Sequence, residues 1–133
     1  MNRKTARENA FLLVFERTIK SDETAEEIFK TATEERSLEV DDYVKQVYFG
    51  SCENAEIIDA TVEPCLVGWK KERISYVSRA IIRLAAYELI YMEDIPAKVS
   101  INEAIELSKK YDDEKTYGFV NGVLNAVAKS LGR

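Results

Sequence analysis

Three basic side chains, Arg3, Lys4 and Arg7, lie close together where the first helix is predicted to begin. The helix macrodipole makes cations slightly unfavourable at that end, so helix stability alone does not account for them. An anionic partner would account for them, since arginine and lysine neutralise the phosphates of a nucleic acid. A solubilising, frayed terminus produces the same pattern, so both interpretations stand.

A second candidate site lies near the start of the last predicted helix, where Phe119 follows Tyr117 and Gly118. An aromatic ring beside a glycine offers a platform on which an unpaired base can stack. Asn121 could read the edge of such a base, or make a hydrogen bond between packed helices. A phenylalanine in the hydrophobic core is the alternative interpretation of Phe119.

Catalytic chemistry has little support in the sequence. The chain has no histidine, which removes the commonest general base and metal ligand. It has no glycine-rich phosphate loop, nucleophile elbow or cysteine pair at zinc spacing. Glu103 and Glu106 are interpreted as a helix cap and an exposed charge, and Cys52 and Cys65 as small core residues. The sequence argues against an enzyme, and no metal or cofactor is expected.

The elements that position these residues are predicted to be helices, because apolar residues recur with a 3.6-residue period. The fold class is therefore all-α, and the 133 residues suit one domain, 1–133. Thr5 is expected to cap the first helix with Glu8 completing a capping box, and Thr24 to cap the second. A long third helix is expected from Asp42 along one apolar stripe to Val62.

The second half of the chain predicts three further helices. Ser75 caps a nearly unbroken apolar helix that reaches about Met92 and forms the central post of the fold. Pro96 follows the end of that helix, and Ser100 is expected to open the next one with a capping box. The last helix is predicted from about Thr116 to Leu131.

Charge is distributed unevenly along the chain. The net charge is −5, yet the first twenty residues are mainly basic, while residues 21–63 are strongly acidic. An acidic protein repels nucleic acid at long range, so RNA binding must come from a local patch and should be modest without a partner. No apolar run approaches the length needed to cross a membrane, and a cytoplasmic protein is expected.

Four segments together resemble one known family. They are Arg3 to Glu8, Arg79 to Leu89, Ile101 to Leu107 and Phe119 to Leu124, and their order and spacing are similar to those of the NusB family. The resemblance implies a NusB-like fold of about seven helices in two packed three-helix bundles. It also implies a transcription antitermination factor that binds single-stranded boxA-type RNA together with NusE, a small-subunit ribosomal protein. Such a pair assembles an antitermination complex on RNA polymerase and suppresses termination during ribosomal RNA synthesis, without catalysis.

The resemblance also suggests which residues make contacts. The RNA face would carry Arg3, Lys4, Arg7 and Phe119, and the partner surface would include Phe15 and the neighbourhood of Ser78. Homodimers are known among relatives, and a homodimer is an open alternative for this chain.

The chain departs from many relatives in two ways. Its basic amino-terminal run is short, and the turn at residues 112–115 is largely acidic, with Gly118 where relatives often have a basic residue. Both departures predict reduced RNA affinity, which keeps a helical protein-binding adaptor open as an alternative. A relative of the RNA-binding module of ribosomal RNA methyltransferases is less favoured, because the chain has no glycine-rich cofactor segment. Lys70, Lys71 and Arg73 either extend the RNA track or keep a loop soluble.

Overall fold

The computed structural model describes the backbone of residues 1–133 and every side chain except that of Lys71. Its backbone contains seven α-helices and no strand, which confirms the all-α prediction. Short π and 3₁₀ turns lie at Thr31–Glu35, Glu63–Cys65 and Lys71–Arg73. The helices are α1 (Arg3–Ile19), α2 (Ala25–Lys30), α3 (Asp42–Glu53), α4 (Ala55–Val62), α5 (Tyr76–Tyr91), α6 (Ala97–Tyr111) and α7 (Tyr117–Ser130).

Side chains at the helix starts confirm two predicted caps and correct a third. Thr24 accepts a hydrogen bond from the backbone N–H of Glu27 at 3.1 Å, and the Ser75 hydroxyl caps α5 at 3.0 Å from the N–H of Ser78. The prediction that Thr5 caps α1 was wrong. Asn2 occupies that position, and its side-chain oxygen accepts from the N–H of Thr5 at 2.8 Å.

Two predicted helix boundaries were also wrong. The expected long helix from Asp42 to Val62 is broken at Asn54, whose side-chain amide and backbone N–H both donate to the carbonyl of Gly50, at 2.8 and 3.0 Å. Side-chain bonds of this kind compete with helix continuation. Helix α6 begins at Ala97, before Ser100, because Pro96 already has the φ of a helix start at −57° and needs no N–H partner there.

Helix α5 is the centre of the fold, as predicted. It packs against α1, α3, α4, α6 and α7. Helices α1, α3 and α5 are in mutual contact, and so are α5, α6 and α7, so the two three-helix groups share α5. No helix in the described chain is both long and apolar enough to cross a membrane.

A buried carboxylate ties four of these helices together. Glu88 on α5 has no exposed surface and accepts hydrogen bonds from Arg7 of α1, Tyr43 of α3 and Ser100 of α6. The distances are 2.8 Å from Arg7 Nε to Glu88 Oε2 and 2.7 Å from Ser100 Oγ to Glu88 Oε1. Arg7 also lies 3.3 Å from Glu103 Oε1 through its Nη1. This network sets the rotation of α1 about its own axis.

Burial and the contact with Glu88 shift the pKa values of Arg7 and Tyr43. Burial by itself lowers the pKa of Arg7, but the hydrogen bond and the attraction of Glu88 outweigh it, so the pKa is raised overall. Burial, followed by the charge of Glu88, raises the pKa of Tyr43. The arginine is therefore charged and the tyrosine is neutral and able to donate at physiological pH.

Removing Arg7 should destabilise the protein strongly. We expect Arg7→Met to lower the free energy of unfolding by about 3–5 kcal/mol, because Glu88 would be left buried without its cationic partner. Urea denaturation measures the change. The matched control is Arg36→Met, which removes an exposed pair with Glu16 and should change stability far less. Equal decreases in the free energy of unfolding would show that the buried pair contributes no more to stability than the exposed pair.

Candidate nucleic-acid interface

The first turn of α1 presents two cations to solvent. Arg3 and Lys4 are both exposed, and the guanidinium of Arg3 lies over the ring of Tyr43, 4.3 Å from its centroid. A cation held against an aromatic face loses less conformational freedom when it binds a ligand. Arg3 and Lys4 therefore suit the predicted contact with phosphates.

Arg7, the third predicted RNA contact, is not part of this exposed pair. Only 4% of its surface is exposed, and its guanidinium is engaged by Glu88 and Glu103. These ion pairs of Arg7 hold α1 in place, and the contact of Arg7 with RNA stays a prediction.

The last turn of α6 carries two more cations beside α1. Lys110 Nζ lies 2.6 Å from Glu8 Oε1, and the Tyr111 hydroxyl donates to the same oxygen. The hydrogen bond from Lys110, followed by that from Tyr111, lowers the pKa of Glu8, so this carboxylate is charged at neutral pH. Lys109 Nζ lies 5.0 Å from the centroid of the Tyr117 ring at the start of α7. The turn therefore bridges the first helix and the last.

Sequence reasoning missed Lys109 and Lys110 as members of this surface. Their only local signal is a pair of lysines in the last turn of a helix, which the helix macrodipole explains without a ligand. Their proximity to α1 and α7 depends on the packing of three helices.

Phe119 is neither fully buried in the hydrophobic core nor fully exposed to solvent. Its side chain is half-buried and packs against the core, while its ring centroid lies 4.5 Å from that of Trp69 at an interplanar angle of 48°. Trp69 is 54% exposed, Tyr117 is 43% exposed, and a Cβ added to Gly118 would meet no atom within 4 Å apart from its chain neighbours and its own helix backbone. Aromatic rings and open backbone therefore occur together here, as base stacking requires.

Asn121 lies one turn further along α7 and is exposed. Its side-chain oxygen accepts a hydrogen bond from Asn125 Nδ2 at 2.8 Å within the same helix. Both asparagines line an open groove between α6 and α7, to which Lys98 and Lys129 also contribute. The predicted alternative of a hydrogen bond between helices is not what Asn121 makes, and its reading of a base stays a prediction.

The two predicted partner contacts differ in exposure. Phe15 is half-buried, stacks on Phe11 and borders an apolar groove of about 450 Å³ that also contains Leu12, Ile19 and Leu38. This groove is suited to an apolar segment of a protein. The contact of Phe15 with a partner stays a prediction.

Ser78 has no exposed surface, and its hydroxyl donates to Asp112 Oδ2 at 2.7 Å. Ser75 donates to the same oxygen at 2.8 Å, so the start of α5 is tied to the turn between α6 and α7. Burial raises the pKa of Asp112, but the hydrogen bonds from Ser78, the Asp113 N–H, Ser75 and Thr116 outweigh it and lower the pKa overall. Ser78 thus positions the turn that leads to Tyr117, and its contact with a partner stays a prediction.

The loop before α5 adds further charge. Lys70 and Arg73 are exposed next to Trp69 in the sequence, and the side chain of Lys71 lies outside the described residues. The loop reaches α7 through the contact between Trp69 and Phe119.

These features define a small all-helical protein with a cationic and aromatic surface suited to unpaired nucleic acid. Comparison with known proteins identifies the family to which this class of protein belongs. The NusB family model matches residues 4–129, and the chain belongs to the NusB family.

The chain is similar to its relatives over nearly its whole length. It is 45% identical to the transcription antitermination protein NusB of Clostridium perfringens (strain 13 / Type A) over 135 residues, covering 98% of this chain and 99% of that protein. The solved structure of T. maritima NusB has a TM-score of 0.84 at 35% identity, covering 97% of this chain and 92% of that one. A structure of antitermination factors NusB and NusE in complex with dsRNA also has a TM-score of 0.84, at 34% identity and 96% coverage of both chains.

The tie between α5 and Asp112 should show in acid unfolding. Because the pKa of Asp112 is lower in the folded state, its stabilising effect is present above its ordinary pKa of 3.8 and is lost as the pH falls through the lower folded value. We expect Asp112→Asn to reduce the melting temperature at pH 7, and the difference from the parent protein to shrink below about pH 4. Asp22→Asn, at an exposed turn, is the control. A difference that stays constant from pH 7 to pH 2 would contradict this assignment.

Proposed function

We propose that this protein is a transcription antitermination factor that binds boxA-type single-stranded RNA together with NusE and suppresses termination during ribosomal RNA transcription. The observation that carries the proposal is that a NusB-family chain exposes Arg3 and Lys4 at the start of α1, and exposes Trp69 and Tyr117 beside Phe119 and Lys109. The similar structure of NusB and NusE with RNA supports the pair of partners.

The proposed RNA contacts divide by chemistry. Arg3 and Lys4, joined by Lys109 and Lys110, would neutralise phosphates and set the register of the strand. Phe119 would stack on a splayed base, and Asn121 would hydrogen-bond a base edge. Arg7 would act mainly by holding α1 in place, through Glu88 and Glu103.

A protein partner is needed because much of the positive charge is already neutralised. Lys110 is paired with Glu8, Arg7 is buried against two carboxylates, and the whole chain has a net charge of −5. A few exposed cations give only weak, salt-sensitive affinity. NusE would supply further contacts with RNA while its own apolar side chains occupy the groove beside Phe15, with further contacts in the neighbourhood of Ser78.

We infer that residues 1–133 act as one domain, since one core cluster contains residues from all seven helices, and that the domain binds without catalysing a reaction. The related proteins act in bacterial transcription, which supports a place in the cytoplasm within the antitermination complex on RNA polymerase.

The neutralised cations favour one second candidate, a helical protein-binding adaptor with a weakened RNA face. Across the contact between α1 and α6, Glu8 of α1 pairs with Lys110, and Glu103 of α6 pairs with Arg7. Direct measurement of RNA binding separates the two candidates, because the adaptor should bind NusE alone.

The decisive measurement is the fluorescence anisotropy of a labelled single-stranded boxA-type RNA, titrated with and without NusE at two salt concentrations. We expect tighter, salt-dependent binding when NusE is present. We also expect Phe119→Ala to weaken binding by about 1–3 kcal/mol, because a base loses its stacking partner. Tyr91→Ala, which removes an exposed ring at the C-terminal end of α5, is the control for loss of an aromatic ring. Absence of RNA binding in every mixture, with NusE still bound, would favour the adaptor.

Glu8→Gln should strengthen RNA binding. The substitution removes the negative charge that neutralises Lys110, so one more cation becomes available to a phosphate. We expect the salt dependence to steepen by about 0.7 in log–log slope, the value for one additional contact to single-stranded nucleic acid. Glu34→Gln, an exposed residue of the acidic segment, makes the same charge change as a control. An identical gain in both variants would show that only net charge matters.

A further inference from the structure

Trp69 is the only tryptophan of the chain, and 54% of it is exposed. It lies in the loop between the 3₁₀ turns Glu63–Cys65 and Lys71–Arg73, just after Gly68, whose φ of +78° is one that residues with a Cβ rarely adopt. The backbone N–H of Trp69 donates to the carbonyl of Leu66 at 3.0 Å. This hydrogen bond closes the turn and fixes where the side chain leaves the backbone. The loop therefore holds a large apolar ring partly in water.

The ring of Trp69 is held against Phe119 without being covered by it. The centroids are 4.5 Å apart, but the planes are inclined at 48°, so the two rings do not stack face to face. A tilted neighbour leaves part of an aromatic face uncovered, and the exposed fraction of Trp69 agrees with this geometry. Two aromatic surfaces therefore lie side by side next to the open backbone of Gly118.

We propose that Trp69 is a second base-stacking residue, and that Trp69 and Phe119 together receive two neighbouring unpaired bases of a bound RNA. This inference rests on the proposed function and adds a residue and a loop to its RNA surface. Stacking on aromatic rings is available to every base, because each base has a π-face. Two inclined rings suit a strand whose bases are splayed apart, as in single-stranded RNA recognition.

Charge favours RNA over a protein as the occupant. Trp69 is followed by Lys70-Lys71-Glu72-Arg73, a net positive stretch, and Lys70 and Arg73 are exposed. On the other side of Phe119, Tyr117 lies beside Lys109 on the cationic surface. The aromatic pair is thus flanked by cations in both directions, as expected where phosphates on either side of stacked bases must be neutralised.

The first test uses Trp69 as its own reporter. The intrinsic fluorescence of the full-length protein is followed during titration with a single-stranded boxA-type RNA, in the presence of NusE and with NusE alone subtracted. Direct stacking should quench the emission saturably, with the same midpoint as the anisotropy of labelled RNA. A fully paired duplex of the same sequence should quench far less, because its bases are not available to the ring.

The second test separates stacking from mere proximity. Trp69→Ala should weaken RNA binding by about 5-fold to 150-fold, and Trp69→Phe should retain much of the affinity. Val67→Ala, 83% exposed in the same loop, and Tyr91→Ala are the controls for loop disturbance and for loss of an exposed ring. Circular dichroism and melting temperature verify that each variant folds.

Abasic substitutions in the RNA then identify the base that Trp69 contacts. The parent protein should lose affinity at two adjacent positions. Trp69→Ala should become insensitive at one of them and Phe119→Ala at the other, since a base and a ring that interact give non-additive losses.

The outcomes are distinguishable. If the parent protein binds no RNA even with NusE, both the proposed function and this inference fail. If RNA binds but Trp69→Ala binds as tightly as the parent and shows the same abasic profile, only the inference fails. It also fails if Trp69→Ala weakens the affinity for NusE in the absence of RNA, because the ring would then belong to a protein contact.

Discussion

The ion pair between Arg7 and Glu88 is the interaction on which the arrangement of this protein most depends. Two charges buried in a helical core must be hydrogen-bonded in nearly every direction, and Tyr43 and Ser100 complete that requirement for Glu88. Because the four residues come from four different helices, the pair accepts only one orientation of α1 relative to α3, α5 and α6. That orientation places Glu8 and Phe11 of α1 against Lys110 and Tyr111 in the last turn of α6.

The same carboxylates that build the fold also limit its attraction for nucleic acid. Glu8 and Glu103 each face a basic side chain across the contact between α1 and α6. Long-range attraction of RNA is weak for such a surface, so short-range contacts, above all aromatic stacking, would carry more of the binding energy in the proposed complex. The proposed dependence on a second protein is consistent with this balance of charge, and the apolar groove beside Phe15 is the proposed surface for that protein.

Much of the secondary structure could be predicted from local sequence. Thr24 and Ser75 cap helices as expected, since a cap depends on residues two or three positions away. Where the prediction failed, the structure is set by competing local hydrogen bonds or by contacts between residues far apart in the sequence. Asn54 bonds Gly50 and breaks a continuous apolar stripe, and Ser100 is drawn into the interior by Glu88, although its sequence context is that of a cap.

The sequence by itself determined the all-α class, the central place of the apolar α5 and the presence of basic and aromatic residues near the two predicted sites. Only the tertiary structure decided that Arg7 is buried, that Lys109 and Lys110 join the two sites, and that Trp69 lies against Phe119. The physical reason is the distance along the chain over which each interaction acts. Helix periodicity and capping act within a few residues along the chain, whereas the burial of a charge and the pairing of two rings fifty residues apart depend on which helix faces meet.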